Sequence, residues 1–91
     1  MNRKDNYIEV NVKFVGYVYK GRDVEKQTFL VQKGMTVQGL IEKIQSDMCD
    51  KIDFNRVVVI VNGAPLTPGK AKKYILNESD TVSFVMALAG G

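Results

Sequence analysis

The sequence has no histidine and no tryptophan, one cysteine and two prolines. Without histidine the chain lacks the commonest general base and metal ligand. A single cysteine cannot form an internal disulfide, a zinc cage or a cluster site. Cys49 sits beside Met48 and between Asp47 and Asp50, where neighbouring carboxylates disfavour a thiolate. It reads as a packing residue near a helix end rather than a nucleophile. No carboxylates pair in an evident cleft. Autonomous catalysis is therefore not expected, and no metal site is.

Long hydrophobic runs are also lacking. The best is Val57 to Val61, far short of the roughly 18 apolar residues of a membrane span. Residues 1–6 are charged and polar and carry no apolar signal core. A soluble, cytoplasmic protein with no membrane partner is the expectation. Excess charge is small: 13 Lys and Arg against 10 Asp and Glu give +3. That balance does not call for nucleic acid, and Phe14, Phe29 and Phe84 fall in core-facing registers rather than on a stacking platform. The densest basic cluster, Lys70, Lys72 and Lys73 beside Gly69, reads as a solvated turn before it reads as a phosphate patch. Lys20 and Arg22 around Gly21 read as a charged hairpin tip.

What is present is a regular alternation of pattern. The apolar fraction of 45% suits one globular domain of 91 residues with a modest core. Ile8, Val10, Val12 and Phe14 alternate with Tyr7, Glu9, Asn11 and Lys13, which predicts a half-buried strand over 7–15. A second strand is predicted over 24–32, with Phe29 and Val31 on one face, and a link bracketed by Gly16 and Gly21 makes the two a hairpin. Thr36 is a good N-cap. Val37, Leu40, Ile41, Ile44 and Met48 then fall on one helical stripe. Gly39 inside that helix costs about 1 kcal/mol against Ala, and the expected reason for it is a close approach to the sheet. Arg56 to Val61 predicts a third strand, Asn62-Gly63 a tight turn, and Thr67-Pro68-Gly69 a second turn. Tyr74-Ile75-Leu76 makes a short apolar anchor, and a last strand runs over 81–86. One amphipathic helix on one face of a mixed sheet is an α+β two-layer domain.

The order strand, strand, helix, strand, strand, followed by Ala87-Leu88-Ala89-Gly90-Gly91, resembles the β-grasp fold of ubiquitin and the prokaryotic sulfur carriers. Leu76-Asn77-Glu78-Ser79-Asp80-Thr81-Val82 is similar to their Leu-x-x-Gly-Asp-x-Val entry to the last strand, with Ser79 in place of the usual glycine. Val61-Asn62-Gly63 and the neutral Ala-Gly-Gly ending resemble the branch that holds the small subunit of molybdopterin synthase and the thiamine sulfur carrier. Length and a long first hairpin sit nearer the former. Met86-Ala87 stands where that subunit usually has Pro-Pro, so acceptors in thiamine, cysteine or tRNA sulfur chemistry stay open. The resemblance implies an α+β β-grasp (ubiquitin-like) domain, 1–86, with a mixed four- to five-stranded sheet covered on one face by one main helix, and a flexible tail, 87–91.

The function this implies is sulfur carriage. An α-carboxyl with a pKa of about 3.5 is ionised at neutral pH and is a poor electrophile. The Gly91 carboxylate is expected to be adenylated by an E1-like adenylyltransferase that uses ATP and Mg²⁺, then converted to a thiocarboxylate. The chain itself is expected to bind no stable cofactor and to act as a carrier, delivering to a larger synthase subunit or another sulfur acceptor enzyme. Gly90 and Gly91 lack Cβ and are expected to thread a narrow channel in the partner, with Ala87 and Ala89 keeping the approach thin and Leu88 as its one bulky anchor. Strand alternation adds a partner surface of Val58, Ile60 and Val85 near the root of the tail, which Leu30 is expected to join from the second strand. The competing functions are a ubiquitin-like modifier joined to lysines and a non-catalytic interaction domain.

Overall fold

A computed structural model describes residues 6–16, 24–48 and 56–86. The chain forms β1 (Tyr7–Val15), β2 (Val24–Gln32), α1 (Val37–Met48), β3 (Val57–Val61), β4 (Ala64–Leu66), α2 (Pro68–Ala71) and β5 (Thr81–Met86). The strands make one mixed sheet in the order β2-β1-β5-β3-β4. The last strand in sequence is thus the middle strand in space. It runs parallel to β1 and antiparallel to β3. The two outer pairs, β1 with β2 and β3 with β4, are antiparallel.

The core follows from two periodicities meeting. Ile8, Val10, Val12 and Phe14 leave β1 on one side, and Val31, Val61, Val82 and Phe84 join them from the other strands. Val37, Leu40, Ile41 and Ile44 leave α1 at helical spacing and close the layer from above. Phe14 and Phe84 are neighbours across the parallel pair, and their rings stack at 5.6 Å between centroids. Both are fully buried, as their registers predict, and Phe29 is half-buried against the same cluster.

Local signals explain the ends of the elements. Thr36 caps α1: its Oγ1 accepts from the Gly39 N–H at 3.1 Å and its carbonyl from the Leu40 N–H at 3.0 Å. The reason for Gly39 differs from expectation. A Cβ there would meet no strand; it would lie 3.2 Å from Cγ of Met35, the side chain folded over the first turn. Asn62 and Gly63 both take positive φ, 50° and 87°, between the paired residues Val61 and Ala64. That is the two-residue hairpin geometry in which glycine has no steric penalty.

Two short elements are not placed by local pattern, though a fifth strand lies within the expected four- to five-stranded sheet. Ala64–Leu66 is a fifth strand rather than a connection, three residues at the edge of the sheet where Pro65 lacks no ladder donor that matters. Pro68–Ala71 makes the predicted second turn as one turn of helix, capped by Thr67 Oγ1 accepting from the Lys70 N–H at 3.2 Å. Of the apolar anchor, Leu76 is buried, Tyr74 half-buried and Ile75 exposed, the last forming a single β-bridge with Thr36. No helix among the described residues is long and apolar enough to cross a membrane.

Candidate functional site at the root of the tail

Residues 87–91 follow the central strand of the sheet in the chain. β5 ends at Met86. Gly90, Gly91, Ala87, Leu88 and Ala89 lie outside the described residues, as do Cys49, Lys20 and Arg22. What the structure supplies is the platform from which the tail departs.

That platform is built by register. Val85 lies between Val15 on β1 and Val58 on β3. One row along, Ser83 is paired with Ile60, and Ile60 with Pro65 on β4. All of these alternate with core residues, so they point to the face that α1 does not cover. Val58 is 42% exposed, and Ile60, Val85 and Val15 are half-buried. The predicted trio of Val58, Ile60 and Val85 is therefore brought together, and Val15 and Pro65 extend it.

Leu30 does not join them. It is exposed, but it pairs with Glu9, whereas Val85 pairs with Val15. Six residues of β1 separate the two rows, about 20 Å at strand rise. Leu30 sits at the far end of the sheet. Alternation assigned the correct face to it, but the face alone carries no position along the strand.

The start of β5 is held by a polar clasp that sequence reasoning took only for turns. Asp80 is a buried carboxylate. Its Oδ1 accepts from Asn62 Nδ2 at 2.8 Å, and its Oδ2 accepts from the Asn77 N–H at 2.8 Å and from the Tyr74 hydroxyl at 3.5 Å. Asn62 also accepts: its Oδ1 takes the Thr81 N–H at 2.9 Å. The backbone follows suit, with the Asn62 N–H donating to the Thr81 carbonyl at 2.8 Å and the Asn11 N–H to the Asp80 carbonyl at 2.8 Å. Three donors satisfy a carboxylate that burial would otherwise penalise. Partial burial pushes the Tyr74 phenol above its ordinary range, and the Asp80 charge beside it adds to the effect. The signal for this clasp is present in the sequence as an Asn in a left-handed turn and an Asp closing Asn77-Glu78-Ser79-Asp80, but it takes the fold to bring them face to face.

A shallow hollow of about 630 Å³ is lined by Lys70, Lys72 and Lys73 with Leu66, Thr67, Gly69 and Tyr74. Its lysines are exposed and it contains no paired acid and base. Among the described residues no three His, Cys, Asp or Glu side chains converge as metal ligands. The chemistry that this arrangement supports is presentation: a clasped central strand beside an apolar face, with the tail continuing from its end.

Comparison with known proteins gives the same architecture. The model of the ThiS family matches residues 8–91. Among solved structures, the HVO 2177 protein of Haloferax volcanii is similar with a TM-score of 0.72 and 18% identity, over 94% of this chain and 89% of that one. Urm1 from Trypanosoma brucei is similar with a TM-score of 0.61 and 20% identity, over 100% of both chains. A de novo design based on ubiquitin reaches 0.54 at 19% identity, over 93% of this chain and 94% of the design. At these identities the structural likenesses show the fold. No curated protein matches the chain in sequence.

Proposed function

The chain belongs to the ThiS family of β-grasp, ubiquitin-like sulfur carriers, and on that premise we propose that Gly91 is its cargo-bearing residue. In this reading an E1-like partner binds ATP and Mg²⁺. A carboxylate oxygen of Gly91 attacks the α-phosphorus, pyrophosphate leaves, and an acyl-adenylate forms. A sulfide-level donor then attacks the acyl carbon. The bond to AMP breaks, AMP departs with the electron pair, and a thiocarboxylate remains. Two modest barriers replace one high one. The catalytic groups belong to the partner; the chain contributes a deliverable end.

The observation that carries this reading is the family match through residue 91. The platform supports it. β5 is held on both sides and clasped at its start, so residues beyond Met86 emerge from a fixed point. Val58, Ile60 and Val85 lie at that point, where a partner that takes the tail also covers apolar surface. For the acceptor we propose the large subunit of a molybdopterin synthase, in keeping with the nine-residue strands of the first hairpin.

Intact mass spectrometry of the protein from its native cell tests the reading. The expected result is a species heavier by the exchange of one oxygen for one sulfur, located at Gly91. High-mass conjugates through lysine instead would assign the chain to protein modification. A carboxylate inert to ATP with the cognate activating enzyme would sink both.

A further inference from the structure

The face of the sheet opposite α1 changes character from one edge to the other. A single row of cross-strand neighbours runs Lys26, Lys13, Ser83, Ile60, Pro65 over all five strands. Its β3–β4 end is apolar and its β2–β1 end is basic. The next row, Thr28, Asn11 and Thr81, is polar throughout.

Lys13 and Lys26 are direct partners, and in the closer kind of pair. The Asn11 N–H points to β5, where it meets the Asp80 carbonyl, and the Asn6 carbonyl points the other way, to Lys33 N–H. Odd-numbered residues of β1 thus direct their backbone groups toward β5. Lys13 and Lys26 therefore form a non-hydrogen-bonded pair, with Cα atoms about 4.5 Å apart and side chains on one face. Like charges directly opposite each other weaken a sheet. Neither lysine makes an ion pair among the described residues. They border an open depression of about 340 Å³, floored by Asn11, Thr28 and Thr81, with no carboxylate in its lining.

A like-charge pair of this kind is relieved by an acidic group placed over it. The pair lies one row from Val15, Val85 and Val58, within about 7 Å along the strands, so a surface that covers the apolar end reaches the lysines too. We propose that the open face is a two-part epitope, and that the activating partner meets it with an apolar ridge over Val58 and Val85 and with aspartate or glutamate side chains over Lys13 and Lys26. This rests on the proposed function, since it names the chemistry of that partner. The lysines steer encounter and fix orientation, and the valines supply the desolvated centre.

Lys13→Glu separates a binding role from a structural one, because the two effects run in opposite directions. Within the sheet it replaces repulsion from Lys26 by attraction, so the unfolding midpoint rises. Toward an acidic partner it introduces repulsion. With the cognate activating enzyme, ATP–pyrophosphate exchange should show KM raised about tenfold, or about 1.4 kcal/mol, with kcat unchanged. Wild-type KM should rise with added salt, whereas that of Lys13→Glu should fall. Lys13→Arg should behave as wild type. If wild type is activated and Lys13→Glu keeps its KM and salt response, the epitope is wrong and the carrier reading stands. If wild type is not activated at all, the carrier reading fails and takes the epitope with it. If Lys13→Glu instead loses affinity for poly(U) that wild type binds, with KM unmoved, the panel serves nucleic acid and the proposal is overturned.

Discussion

Asn62 and Asp80 face each other across the start of the central strand, the amide donating to the carboxylate at 2.8 Å. They stand 18 positions apart, on the β3–β4 turn and on the last residue before β5. Between them they serve two backbone N–H groups, of Thr81 and Asn77, and Asp80 also accepts from the Tyr74 hydroxyl. The clasp fixes where β5 begins, and the β1 and β3 ladders then fix where it ends. The position of Met86, where β5 ends, is thus set from the opposite end of the strand.

Substituting Asn62 by Gly isolates the side chain's contribution. The left-handed backbone, φ 50°, is easier for glycine, which offsets glycine's extra freedom in the unfolded chain, so the net loss comes chiefly from the amide's two hydrogen bonds and from the buried Asp80 left short of a donor. We expect a destabilisation of about 1–3 kcal/mol, read as a lower urea midpoint with an unchanged m-value. Stability equal to wild type would show the clasp to be a consequence of the fold rather than a support for it.

Ser79 marks a place where the chain departs from its own geometry. Its φ is 69°, in the left-handed region, and its N–H donates to the Glu9 carbonyl at 2.8 Å. The side chain is exposed, so nothing is lost by removing it. Ser79→Gly should raise stability by about 1 kcal/mol, the left-handed penalty of an L-residue less the extra freedom of glycine in the unfolded chain. Thermal unfolding monitored by circular dichroism checks it. An unchanged or lower midpoint would mean that the turn relaxes at no cost.

These two positions show what was legible in the sequence and what was not. The alternation of 7–15 and the stripe from Val37 to Ile44 each declare an element and its buried face, because period and burial are one signal. β4 declares nothing: three residues, one of them Pro65, are too few to show a period, and they become a strand only because the Asn62-Gly63 turn folds them back on β3. The single turn of α2 is short for the same reason. Val58 and Val85 were found as a pair since both are near the ends of adjoining strands. Leu30 was misplaced because its distance from them depends on the registers of β2, β1 and β5 together, which no local pattern encodes. The resemblance located Asp80, but only the fold reveals that its partner is Asn62.

Alkaline pH gives a further test of the clasp. The Tyr74 phenol is raised by partial burial first and by the Asp80 charge second. The folded state therefore favours the neutral phenol. Its contribution to stability is fully present below the ordinary tyrosine pKa, about 10, and is lost as pH rises through the higher folded value, where the unfolded chain binds fewer protons. Urea midpoints measured from neutral pH upward should fall above about pH 10, and Tyr74→Phe should flatten that fall relative to wild type. Parallel profiles for the two proteins would remove Tyr74 from the account.

The apolar end of the open face is tested at Val58, the member that tolerates charge best. At 42% exposure a carboxylate placed there stays solvated, so Val58→Asp should fold. Facing Val85 and lying beside the strand that carries the tail, the same carboxylate would be desolvated under any partner that covers this row. We expect Val58→Asp to weaken activation by the cognate enzyme more than tenfold, at least about 1.4 kcal/mol, with a melting curve close to that of wild type. Ile60→Glu should act in the same direction with a greater loss of stability, because Ile60 is half-buried between Ser83 and Pro65. Gly91→Val should instead leave both folding and enzyme binding intact and abolish acyl-adenylate formation, since its added bulk sits at the reacting carbon. A Val58→Asp protein that is adenylated with wild-type KM would place the partner's contact elsewhere, and a Gly91→Val protein that is still adenylated would remove the steric argument for glycine at the end of the tail.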